Sequence, residues 1–154
     1  MLADFHTLPE ESRIWLYAAE NTLSKDQQNY IINFISEDLR VWNAHKLPLT
    51  SAVTILENHF IVIALDESKN GASGCSIDIL QNLIQKIEKY LSISLMNRLN
   101  VFCEIEGKIV CIPSIKLRSI AKPDTTFYDL TVLKKSDLKT YLKPIYEGWC
   151  AHLV

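Results

Sequence analysis

The sequence predicts an α+β fold: a ferredoxin-like βαββαβ core with an extra C-terminal segment, in one domain over residues 1–154. Three observations carry that expectation. Hydrophobic period orders the first six elements as strand, helix, strand, strand, helix, strand. The two segments this order makes central, Arg13–Ala19 and Phe60–Leu65, are apolar on both faces, as strands covered on two sides must be. The chain is long enough, and at 48% hydrophobic residues apolar enough, to bury a core.

Residues 1–11 read as an irregular arm punctuated by Pro9. After the first strand, Ser24 and Gln27 form a capping-box pattern that opens a helix. Its stripe is Ile31, Ile32, Phe34, Ile35, Leu39 and Trp42, at helical spacing. Ala52–Leu56 and Phe60–Leu65 are two strands joined by a tight turn at Glu57–Asn58. The loop Asp66–Cys75 holds two of the four glycines, Gly71 and Gly74. Ser76 is expected to cap the next helix, with Asp78 in its first turn and Ile77, Leu80, Ile84, Ile87 and Leu91 as its buried stripe.

Leu99–Ile105 and Lys108–Ile112 form a hairpin turning at Glu106–Gly107. A two-residue loop there puts Cys103 and Cys111 on opposite faces, a three-residue loop on the same face. Pro113 begins a short helix through Ala121. Phe127–Leu133 is a short strand, and Ser136–Leu142 a last helix ended by Pro144. Lys134, Lys135, Lys139 and Lys143 read as its solvated face rather than an RNA-binding patch. The C-terminal segment from residue 113 is expected to cover the second face of the sheet; a homodimer through that face is the alternative.

The net charge of −2 gives no reason to expect nucleic acid or an anionic membrane as partner. The charge is uneven: −5 over residues 1–97 and +3 over residues 98–154. No apolar run approaches the roughly 20 residues that span a bilayer, and the N-terminus lacks the pattern of a signal peptide. These features predict a cytoplasmic protein with free thiols at Cys75, Cys103, Cys111 and Cys150, none in a CxxC pair.

The ferredoxin-like order brings Trp42–Lys46, including His45, to the sheet end where Asp66–Ser76 emerges. Three chemistries fit there. The first is a small-ligand or anion site over Ser73–Asp78, where amide groups and the helix dipole favour phosphate or carboxylate. Ser73, Gly74, Ser76 and Asp78 form it, Asp66 and Glu67 border it, and Arg98 is a more distant candidate for its wall. The second is a thiol enzyme with Cys75 as nucleophile, at a position that favours thiolate, and His45 as base. The third, a hard-cation site on Asp66, Glu67 and Asp78, is weaker, because neighbours at a strand end point apart. No cofactor or metal is expected.

RIWLY at Arg13–Tyr17, W-x-A-H at Trp42–His45, FIVIALDE with ASGCSID over residues 60–78, and NRLNV at Asn97–Val101 resemble a family of small uncharacterised bacterial proteins. Its members often carry the label "ABC transporter ATPase". The resemblance directs attention to Asp66, Glu67, Ser73, Gly74, Cys75, Ser76, Asp78, Asn97 and Arg98. The label itself finds no Walker A motif here, because no lysine follows Gly74. The leading reading is thus a binding or regulatory domain with a site at the Ser73–Asp78 junction. The thiol enzyme and a homo-oligomeric interaction module are its alternatives.

Overall fold

The computed structural model describes all 154 residues, as a mixed α+β chain in two compact units. The first comprises Met1–Met96 with Leu133–Ser136; the second comprises Asn97–Val132 with Asp137–Val154.

In the first unit, β1 (Arg13–Ala18), β4 (Thr50–Leu56) and β5 (Phe60–Asp66) make an antiparallel sheet in the order β1-β5-β4. The register pairs Trp15 with Ile63 and Val53 with Ile63, so these three share one face. Helices α1 (Lys25–Leu39) and α2 (Gly74–Leu91) pack on it. Ile31, Ile35, Leu39, Leu80, Ile84 and Ile87 are fully buried against Tyr17, Ile61, Ile63 and Leu65. On the opposite face Ile14, Leu16, Phe60, Val62 and Ala64 are also buried, so the central strand is apolar on both sides for a physical reason.

The single ferredoxin-like sheet does not form. Leu99–Ile105 was to be its fourth strand, beside β1. The start of that edge of β1 is taken instead by Leu133–Ser136. The Ile14 amide donates to the Leu133 carbonyl (3.0 Å), and the Lys135 and Ser136 amides donate to those of Ser12 and Glu10. This extended pairing also ends the expectation of a solvated lysine face. Lys135 is buried, Lys134 pairs with Glu11, and only a 3₁₀ turn at Lys135–Lys139 replaces the expected helix. The N-terminal arm is ordered along β4: the Ala3 amide donates to Ser51 O and the Ser51 amide to Met1 O.

The second unit holds its own antiparallel sheet. It contains β6 (Asn100–Ile105), β7 (Lys108–Pro113), β8 (Thr126–Tyr128) and β9 (Leu142–Pro144), in the order β7-β6-β8-β9. The β6–β7 hairpin has a two-residue loop, Glu106–Gly107, with both residues at positive φ. Such turns match strand twist, and glycine suits the second position. Cys103 and Cys111 therefore point to opposite faces: Cys103 is buried, Cys111 half-buried. Strand β8 takes the edge of β6 that a ferredoxin-like sheet would offer to β1. A 3₁₀ turn, Ser114–Lys116, runs into the four-residue helix α3 (Leu117–Ile120), which buries Leu117 beside Ile112, Phe127 and Ile145.

Candidate functional site

The expected convergence at one end of the first sheet occurs. After α1 the chain forms a small hairpin, β2 (Asn43–Ala44) and β3 (Leu47–Pro48), through the two-residue turn His45–Lys46, both at positive φ. Two hydrogen bonds dock it on the loop and helix that follow β5. The buried Trp42 indole donates from Nε1 to the Ser76 carbonyl at 2.9 Å. The Asn70 side-chain amide donates to the Pro48 carbonyl at 3.0 Å.

The loop-to-helix junction is built differently from its expected form. Helix α2 starts at Gly74 with Ser73, not Ser76, as N-cap. Ser76 is the third residue of the helix and completes a capping box. Its Oγ accepts from the Ser73 amide at 2.7 Å, and Ser73 Oγ accepts from the Ser76 amide at 3.2 Å. Serine here holds the place glutamate or glutamine usually takes, so either serine looks like a cap on paper. The earlier start moves Asp78 to the fifth helical residue, beyond the first turn, where the dipole acts weakly.

The loop's own carboxylates satisfy two of its amides. Asp66 accepts from the Ser68 amide at 3.0 Å, and the Ser68 hydroxyl and amide hold its carboxyl below the usual range. Glu67 accepts from the Ala72 amide at 3.3 Å. Its Oε2 would lie 3.1 Å from a Cβ at Gly71, so the group that approaches this glycine is internal. A second anion at the same amides would meet that charge.

Cys75 is exposed as the second residue of α2. His45 is exposed at the hairpin tip. The two are not hydrogen-bonded to each other. Asp66, Glu67 and Asp78 do not assemble as a metal cluster; no group of three ligating side chains comes together anywhere in the chain. Arg98 is exposed at the start of the second unit.

Sequence reasoning missed the hollow beside the hairpin, about 360 Å³, lined by Arg40, Val41, Trp42, Asn43, Lys46 and Pro48. It shares Trp42 and Pro48 with the contacts that dock the hairpin. Its two cations come from the end of α1 and from the turn. Arg40 reaches Glu37 at 3.4 Å, but both side chains are more than half exposed, so that pair is weak. The available signal was Arg40 and Lys46 flanking the W-x-A-H block; nothing in spacing alone said that the chain doubles back between them.

Comparison with protein-family models, with curated proteins and with solved structures returned no match. No helix is long and apolar enough to cross a membrane.

Proposed function

We propose that the chain is a binding domain for a small anionic ligand, seated in the hollow beside the β2–β3 hairpin. One observation carries this reading: Arg40 and Lys46 line a recess that no carboxylate lines, with Trp42 and Asn43 between them. Cations with an adjacent amide side chain recognise phosphate or carboxylate by charge and hydrogen bond together. The rigid part is the hairpin, anchored through Trp42. The adaptable part is the pair of long cationic side chains.

The junction supports the site without being its binding surface. Ser73 and Ser76 spend their hydroxyls on each other and on the helix start. This separates two outcomes in one experiment. Titration calorimetry with inorganic phosphate, nucleotides and dicarboxylates is expected to find a binder whose affinity drops about tenfold in Arg40→Ala and again in Lys46→Ala. Ser73→Ala should leave affinity unchanged while lowering stability by about 1 kcal/mol through the lost cap. The reading fails if no anion binds, or if the Arg40→Ala, Lys46→Ala double variant binds as the parent does.

A further inference from the structure

We propose that the second unit docks on an anionic lipid surface through Leu99 and the segment Ser114–Lys122. Ile115 is 90% exposed, the most exposed large apolar side chain of the chain, and Leu99 is 70% exposed. The Ser114 amide donates to the Leu99 carbonyl at 2.8 Å, which brings the start of the segment beside Leu99. Ile120 adds a third aliphatic at 52%. The orientation of this short helical segment is fixed from within. Leu117 and Ala121 are buried in the core of the unit, so Ile115, Lys116, Arg118 and Lys122 are left outside.

The charge within this segment is of one sign. Lys116, Arg118 and Lys122 fall within residues 109–123, a stretch without a single Asp or Glu. Exposed aliphatics interleaved with cations match a bilayer bearing anionic headgroups: the side chains enter the acyl boundary and the cations meet the phosphates. A protein partner fits less well, because such interfaces centre on aromatic and arginine anchors, and this patch carries protruding aliphatics and mostly lysine. Single-stranded nucleic acid would use stacking aromatics, and the segment has none.

The test is co-sedimentation of the full chain with vesicles of phosphatidylcholine alone and of phosphatidylcholine mixed with phosphatidylglycerol. The chain should sediment with the mixed vesicles only, and less as salt rises. Ile115→Ser should reduce partitioning about tenfold, and Lys116→Glu with Arg118→Glu more than tenfold. All three side chains are exposed, so these variants should melt with the parent, checked by circular dichroism. No sedimentation with the mixed vesicles overturns the proposal. So does undiminished binding by Ile115→Ser, or capture by soluble RNA or an acidic polypeptide in place of vesicles.

Discussion

Asp129 shows how one side chain makes the second unit sensitive to pH. It is 7% exposed. Burial pushes its carboxyl up, but the Thr131 hydroxyl and amide and the Lys143 ammonium, at 3.0 Å, outweigh burial and hold it below the usual carboxylate range. A carboxyl held low contributes stability above its unfolded value and loses it as pH falls through the folded one. Asp129→Asn should therefore cost about 2 kcal/mol at neutral pH and flatten the loss of stability below about pH 4. Urea midpoints at neutral pH and near pH 3 check this; parallel curves for parent and variant would refute it. Asp129 was not legible in the sequence, because Thr131 is local but Lys143 arrives from a separate strand. The cysteines were partly legible. Burial, and then the neighbouring Cys150, push the Cys103 thiol up to about 11; burial also raises Cys150. Both are buried core thiols.

At the scale of elements, period and capping located most of the first 112 residues. The Ser24–Gln27 box opens α1 as read, because both bonds lie within four residues. The start of α2 is three residues early, because two serines at the right spacing offer the same local signal. The tail resisted reading for a different reason. Its strands are three residues long and its turns are 3₁₀, too short for any period to appear. What fixes them is close packing at Gly148. A Cβ there would lie 2.1 Å from Phe127 Cζ, and Phe127 is fully buried in β8. Gly148 has φ of −108°, which any residue adopts, so the demand is for space rather than backbone freedom. Gly148→Ala should cost about 3 kcal/mol, seen as a lower thermal midpoint. Phe127→Leu in the same chain should recover part of it, and a neutral Gly148→Ala would show that the ring yields freely.

On the scale of the whole molecule, the sequence predicted the layered first sheet but not where its fourth strand goes. Local pairing across a tight turn closes a short loop, whereas pairing β1 with Leu133–Ser136 closes a loop of over a hundred residues, which no window reveals. The chain leaves the first unit after Met96 and returns for four residues only. Lys135 secures that return. Its ammonium donates to the carbonyls of Phe5 and Leu8, both at 2.8 Å, and of His6 at 3.3 Å, and lies 5.0 Å from the Phe5 ring centroid. These carbonyls border the 3₁₀ turn Phe5–Thr7, and the amine is their shared donor. Lys135→Met keeps the apolar stem but takes the donor from the Leu8 and His6 carbonyls and leaves Phe5 O only its long bond from the Leu8 amide, at a cost of about 3 kcal/mol. The arm before Arg13 should then loosen first, so limited proteolysis should cut within residues 1–12 of the variant well before the folded parent is cut there. Lys134→Met, which removes an exposed pair with Glu11, should cost far less stability and leave cleavage of the arm near the parent's. If the two lysine variants behave alike, the buried amine is not what holds the arm, and the backbone bonds of Leu133–Ser136 to Glu10, Ser12 and Ile14 complete the edge of β1 without it.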